Sequence, residues 1–236
     1  GMLSSLATNY NRRNKDVRLY ELGNVYLPKA LPLTELPDER TMFTLGMYGN
    51  GDFFDMKGVC EEFFEKIGMK KKMEYDPASK KAFLHPGRQA DMVYEGTVVG
   101  YLGEVHPLVA DNYGIGERAY IAMIDIKSVL EFANFDRKFT GIAKYPAVTR
   151  DLSMVVPKHI LAGQIEDVLE QRGGKILESY QLFDIYEGAQ IKPGYKSMAY
   201  SVVFRDHEKT LEEAEITATM KKILNGLTAL GIELRS

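Results

Sequence analysis

Four histidines, one cysteine and a scatter of serines are the residues of this 236-residue chain that could carry metal or nucleophilic chemistry, and their surroundings decide how far each can go. His85 and His106 each precede a proline, with Asp91 and Glu104 between them. A proline holds the residue before it in extended backbone, which suits a strand end or a turn. Neither histidine has a partner at metal-ligand spacing, so both read as structural and no metal site is expected. His159 and His207 read as solvated residues of a loop or a helix start. Cys60 lies in FDMKGVCEEFFEKIG among apolar residues at helical spacing and reads as a buried core thiol. A lone cysteine forms neither an internal disulfide nor a cysteine-rich metal site. No serine sits in a strand-to-helix elbow, so nucleophilic catalysis has no candidate. What remains is binding chemistry: Tyr180, Tyr186 and Arg205 fall in strand-like stretches near the end of the chain. Projected from one side of a sheet, such rings stack on unpaired bases, while the guanidinium bonds base edges or phosphates.

The elements that must hold these residues follow from the pattern of the last hundred positions. Asp151 to Val156 is a strand ended by Pro157; Ile160 to Arg172 is a helix turning Leu161, Ile165, Val168 and Leu169 inward; Gly173-Gly174 breaks it. Ile176 to Tyr186 and Ser197 to Arg205 are two long strands joined by the loop around EGAQIKPGY. Thr210 opens a second helix as a capping box with Glu213, and Ile216, Met220, Ile223, Leu227 and Leu230 form its buried stripe. Gly231 ends that helix before a short last strand. The order βαββαβ predicts a ferredoxin-like domain, two helices over one face of a four-stranded antiparallel sheet. Alternation sorts the side chains. Leu152, Met154, Val156, Phe183, Ile185, Met198, Tyr200, Val202 and Phe204 point to the helices. Asp151, Ser153, Val155, Tyr180, Leu182, Asp184, Tyr186, Ser197, Ala199, Ser201, Val203 and Arg205 lie on the open face. Such a face can be simply solvated, can dock the other domain, or can take RNA; the candidate RNA contacts are Arg205, Tyr186, Tyr180, Ser201, Ser153 and Asp184, with Arg150 and Lys144 beside the first strand.

Upstream, Leu3 to Asn11 has helical character and no cap at its start. Val17 to Leu27 and Thr41 to Gly49 read as an antiparallel strand pair around the proline-bearing loop KALPLTELPDER. Asp52 caps a helix whose apolar positions Phe53, Met56, Cys60, Phe63 and Ile67 keep the 3.6 period until Gly68 stops it. Strands follow at Gln89 to Tyr94, Thr97 to Val105 and Tyr120 to Ile126, with Glu95-Gly96 as a tight turn. The polar, aperiodic stretch Phe132 to Lys138 marks a boundary between units 1–137 and 138–236, the second fold starting near Phe139. The chain is an α+β protein, antiparallel sheet in both halves.

Composition bounds the function classes. At 45% apolar and 27% charged the chain is ordinary globular protein. Its apolar runs, as at Val202 to Phe204, fall far short of the ~20 residues that span a bilayer. No signal peptide is recognised. Net charge is −3, with 17 Lys/Arg against 20 Asp/Glu before Lys138 and 13 against 13 from there on. Neither half is basic, which argues against non-specific nucleic-acid binding and leaves local, shape-driven contact. Lys70 to Lys72 follow a helix end, where cations favour the dipole. The chain opens Gly1-Met2, an order in which translation does not start; the glycine is expected to be a scar of tag removal, and the chain a piece of a longer protein.

Several stretches resemble the β subunit of the bacterial phenylalanyl-tRNA synthetases. YPAVTRDLSMVV (Tyr145 to Val156), LFDIYEG (Leu182 to Gly188) and GYKSMAYSVVFRDHEKTLEEAEI (Gly194 to Ile216) are similar to that family's ferredoxin-fold anticodon-binding domain. NRRNKDVRLYELGNVY (Asn11 to Tyr26), HPGRQADMV (His85 to Val93) and GYLGEVHP (Gly100 to Pro107) are similar to its catalytic-like module. The resemblance covers nearly the whole chain, in order. It implies a class II synthetase-like antiparallel module that performs no aminoacylation, followed by the anticodon-binding domain. The implied partners are the α subunit, in an α2β2 holoenzyme, and tRNA(Phe). The implied location is the cytoplasm. ATP and magnesium would serve the holoenzyme, with no cofactor held by this stretch, and the family's editing, magnesium and additional tRNA-binding regions would precede Met2.

Class II sites hold ATP with an arginine followed by a glutamate in a strand of the VRLYELGNVY type, and with a glycine-rich segment ending in arginine. Here Arg18 stands in the strand, ELGN supplies no second arginine, and GIGER (Gly114 to Arg118) reads as a turn before the Tyr120 strand. ATP binding is not expected. A rival reading is a small-molecule sensor, because βαββαβ folds also bind amino acids between subunits. A sensor requires buried ligand loops at helix starts, whereas an RNA reader requires an accessible face with aromatic and basic residues.

Overall fold

The computed structural model describes residues 1–139, 141–188 and 190–235. The chain divides into two compact units, Gly1–Lys138 and Phe139–Ser236.

The first unit is built on a six-stranded antiparallel sheet. Its strands are β1 (Val17–Leu27), β2 (Asp38–Tyr48), β3 (Glu74–Asp76), β4 (Leu84–Tyr94), β5 (Thr97–Val105) and β6 (Ala119–Asp125), in the spatial order β1-β2-β6-β5-β4-β3. Helices cover both faces, so the central strands are buried on both sides and β6 reads as a nearly continuous apolar run. On one face α1 (Met2–Asn11) and α3 (Pro107–Asn112) pack Leu6 and Ala110 against Tyr48, Val105 and Ile121. On the other, α2 (Phe53–Lys66) and α4 (Ile126–Leu130) pack Met56, Cys60, Phe64 and Val129 against Met92, Leu102 and Ile124.

The local signals act as their chemistry requires. Asp52 accepts from the N–H groups of Phe54 and Asp55, and the Asp55 carboxylate answers by accepting from Asp52 N–H, closing a reciprocal cap on α2. Gly68 stops the helix at φ +80°, and a Cβ there would stand 1.8 Å from the Asn134 carbonyl oxygen. Glu95 and Gly96 both have positive φ, as the hairpin turn between β4 and β5 requires. Three short elements go unannounced by the sequence pattern, β3, α3 and α4. The first has three residues, and the second is a single turn-and-a-half started by Pro107.

The second unit contains β7 (Val148–Pro157), α5 (Ala162–Gly173), a 3-10 turn (Gly174–Ile176), β8 (Leu177–Tyr186), β9 (Tyr195–Phe204), α6 (Glu213–Ala229) and β10 (Glu233–Leu234). Its sheet runs β10-β7-β9-β8, all neighbours antiparallel, which is the ferredoxin-like order. Leu152, Met154 and Val156 of β7 and Met198, Tyr200, Val202 and Phe204 of β9 meet Ile165 and Leu169 of α5 and Ile216, Ile223 and Leu227 of α6 in one core. Ala189, in the loop expected between the long strands, lies outside the described residues.

Three expectations are corrected here. Thr210 does not cap α6: Leu211 is drawn into the core, and the helix starts beyond it, with the Glu215 carboxylate accepting from Glu212 N–H. Leu161 is exposed rather than inward, because it is the residue that precedes α5. β8 carries two irregularities, between Leu177 and Ser179 and between Leu182 and Asp184, and these change which side chains face the helices.

Candidate nucleic-acid interface on the open sheet face

Antiparallel register assembles the face that the helices leave uncovered. β9 is the central donor of side chains, and each of its outward residues has a partner on either side. The four rungs are Thr149–Val203–Ser179, Asp151–Ser201–Gln181, Ser153–Ala199–Asp184 and Val155–Ser197–Tyr186. The residues along β9 are small, and Ser197 and Ala199 are nearly closed off from solvent. Ser153, Gln181 and Asp184 are exposed, and Ser201 is half-buried. The surface is therefore shallow and polar, able to receive a flat group and to offer hydroxyl, amide and carboxylate partners.

Aromatic side chains stand at one end. Tyr186 is 41% exposed, and its phenol leans over Gly188, where a Cβ would come within 2.1 Å of the hydroxyl; only a glycine leaves room for the ring there. Tyr195 continues the outward row of β9, two positions from Ser197. The Lys192 ammonium sits 3.9 Å above its ring and 3.0 Å from the Glu233 carboxylate. The Glu233 contact holds the Lys192 proton more tightly than usual. Sequence alternation overlooked Gln181, Lys192 and Tyr195. Lys192 and Tyr195 flank the glycine of the KPGY turn, a signal that only the folded loop makes legible.

At the other end, Arg205 is engaged in holding the fold. Its Nε donates to Glu178 at 2.7 Å and its Nη1 to the Tyr145 carbonyl, so the guanidinium fastens the segment before β7 to the start of β8. These bonds occupy Nε and Nη1 of the side chain expected to bond base edges or phosphates. Lys144 is exposed, 5.7 Å from the Tyr145 ring. Arg150 pairs with Val202 in register, on the helix side of the sheet, and both Glu213 oxygens accept from its Nη2.

Tyr180 is the clearest displacement. Alternation counted back from Phe183 places it outward, but the irregularity between Leu182 and Asp184 flips the parity, so Tyr180 opposes Val202 and packs with Leu182 on the core. Its hydroxyl donates to Glu170 of α5, and burial together with that carboxylate raises it above the ordinary phenol range. Phe183 and Ile185, expected inside, are 56% and 52% exposed. Tyr186 and Asp184, beyond the irregularity, remain outward.

In the first unit the sequence-selected residues are each engaged locally. His85 Nδ1 accepts from Gly87 N–H at 3.1 Å, and His106 Nδ1 from Leu108 N–H at 3.3 Å, where it caps α3. Asp91 meets Ser79 and Lys81, while the buried Glu104 accepts two bonds from Arg88 at 2.5 and 2.8 Å. Among the described residues, no three His, Cys, Asp or Glu gather as a metal donor set. Arg18 Nη2 donates to the Asn50 carbonyl. The Cys60 thiol is fully enclosed, and burial pushes its pKa up to about 12. Among the described residues, no helix is long and apolar enough to cross a membrane.

A two-face-covered antiparallel module followed by a ferredoxin-fold unit with a polar, tyrosine-edged open face defines the class, a two-unit α+β protein built on antiparallel sheets. The family profile described as "Phenylalanyl tRNA synthetase beta chain CLM domain" matches residues 1–126, and that of the "Ferredoxin-fold anticodon binding domain" matches residues 143–235. The chain belongs to the phenylalanyl-tRNA synthetase beta chain family. It is 43% identical to the phenylalanine–tRNA ligase beta subunit of Clostridium acetobutylicum over 99% of this chain and 29% of that protein. It is 40% identical to that of Clostridium tetani, over 99% and 30%, and 34% identical to that of Bacillus subtilis, over 96% and 29%. The chain thus spans about three tenths of the length of the curated relatives it matches. A solved pyrrolysyl-tRNA synthetase from Desulfitobacterium hafniense superposes at TM-score 0.43 and 15% identity, covering 54% of this chain and 46% of that one, a likeness too loose to carry an argument.

Proposed function

We propose that this chain is the RNA-reading and assembly portion of a phenylalanine–tRNA ligase beta subunit: its second unit takes the anticodon of tRNA(Phe) on the open sheet face, and its first packs against the α subunit. The observation that carries this reading is the set of rungs from β7 through β9 to β8, which present small polar side chains between strands and end on Tyr186. Unstacked bases need such a surface, flat and accessible, with a ring to stack on and short donors and acceptors for their edges. An amino-acid sensor would instead enclose its ligand.

For the first unit, the edge strand β1 supports assembly. Tyr20, Leu22 and Tyr26 stand 75%, 62% and 59% exposed on the same side of β1, an apolar row of the kind that subunit contact covers. The holoenzyme is an α2β2 cytoplasmic ligase using ATP and magnesium, with aminoacylation carried by the α subunit and no cofactor held by this chain. Engagement of Arg18 with the Asn50 carbonyl and of Glu104 with Arg88 is consistent with a sheet whose polar groups serve structure.

The test is a fluorescence-anisotropy titration of a labelled tRNA(Phe) anticodon stem-loop with the 236-residue chain. Tyr186→Ala is expected to weaken binding by about 1–3 kcal/mol, the worth of one base stacked on an aromatic ring. Tyr180→Phe, on the core side, is expected to leave affinity unchanged. Equal losses in both variants, or none in Tyr186→Ala, would remove the open face as the binding surface.

A further inference from the structure

Ion pairing decides which cations of the second unit are free to hold an anion. Arg150, Lys158, Lys192, Arg205 and Lys209 each meet a carboxylate, at Glu213, Glu187, Glu233, Glu178 and Glu215 respectively. Among the described residues, Lys144, Arg172, Lys175, Lys196, Lys221, Lys222 and Arg235 meet none; Lys196 is half-buried and the others are exposed. Four of these seven cations fall on the two helices and the 3-10 turn of the unit.

The topology brings them together. β7 and β8 are both antiparallel to β9, and β10 is antiparallel to β7, so the crossover helices α5 and α6 run in opposite directions. They touch where α6 has Gly226: a Cβ there would stand 3.3 Å from Arg172 Cγ and 3.6 Å from its Nε, so the arginine stem lies across α6 at the glycine. One turn back along α6 from Gly226 is Lys222, and the same direction along α5 leads forward from Arg172 to Lys175 in the 3-10 turn. Lys175 enters β8 directly, and the Arg205 N–H donates to the Ile176 carbonyl at 2.8 Å. A continuous path thus runs from Ser201 and Val203 on the open face, round the end of the unit at Arg205, to Lys175, Arg172 and Lys222. The carboxyl end of α5 draws cations to its last turn through the helix dipole, which accounts for Arg172 and Lys175. It does not account for Lys221 and Lys222, which sit in the middle of a 17-residue helix.

We infer that this corner is a phosphate track, gripping the sugar-phosphate backbone of the RNA whose bases the open face takes; the inference rests on that reading. Bases supply specificity and the backbone supplies position and affinity, and lysine and arginine are the donors suited to phosphate oxygens.

The experiment follows the salt dependence of binding of the full 236-residue chain to two RNAs, the tRNA(Phe) anticodon stem-loop and the same stem with a scrambled loop. Each cation on a phosphate is worth about one unit in the slope of log affinity against log salt, so Arg172→Gln/Lys175→Gln/Lys222→Gln is expected to flatten the slope by about 2–3 units. The loss of affinity is expected to be the same factor for both RNAs. Lys175→Arg/Lys222→Arg, which keeps the charge, is expected to keep the slope, and the triple variant is expected to keep one folding transition, its melting temperature lowered only slightly by the lost helix-end cations. An unchanged slope in the triple variant, with wild-type binding intact, overturns the track and leaves the open-face reading standing. A loss confined to the native loop also overturns it, since it would mean contact with bases. If the wild-type chain binds neither RNA at low salt, both inferences fall.

Discussion

Arg205 illustrates how one side chain can look like a ligand contact and serve as a fastener. It follows an outward-alternating strand and is basic, the two properties sought in an RNA contact, yet its guanidinium bonds both the Glu178 carboxylate and the Tyr145 carbonyl. Removing it leaves the exposed Glu178 carboxylate to water and the part-buried Tyr145 carbonyl without its donor, and an orphaned buried acceptor costs about 1–3 kcal/mol. Arg205→Ala is therefore expected to lower unfolding stability by about that amount, measured by urea denaturation. If it weakened RNA binding with stability intact, Arg205 would belong to the interface after all. The same scale shows what was legible. Ser153, Ser201, Asp184 and Tyr186 are on the open face, as alternation requires. Tyr180 is not, because a strand irregularity adds one residue to β8, and the period-two pattern of side chains contains no mark of where that residue is inserted.

Among the elements, those with strong periodicity and caps were readable to within a few residues. β1 and β5 occupy the spans their alternation indicates, and α2 begins where Asp52 caps it. The cap is expected to matter in proportion: Asp52→Ala should lower stability by about 0.5–2 kcal/mol, read as a shift in the urea midpoint with unchanged slope. An unaltered midpoint would mean that packing of Met56, Cys60 and Phe64 alone sets the helix start. α6 shows the opposite outcome. Thr210 and Glu213 have the spacing of a capping box, but Leu211 between them is claimed by the core, and burial of a leucine outweighs one capping hydrogen bond. Short pieces such as β3 are set by pairing with a neighbour, Tyr75 with Met92 for example, and carry too few residues to announce themselves.

For the whole molecule, each unit has its own apolar core, with Ile165, Tyr200 and Ile223 in one and Met92, Leu102 and Ile124 in another. Residues 139–236 expressed alone are accordingly expected to unfold in a single cooperative transition by calorimetry. A broad, non-cooperative melt would show that this core is incomplete without the rest of the chain. One further consequence comes from β8, which forms the outer edge of its sheet and exposes Phe183 and Ile185. A straight edge with such side chains would invite another chain to add a strand and spread the sheet from molecule to molecule. The two irregularities in β8 break the repeat of unpaired amides and carbonyls that such templating copies. The feature that misleads a reader of side-chain alternation thereby protects the protein against self-association in a crowded cell.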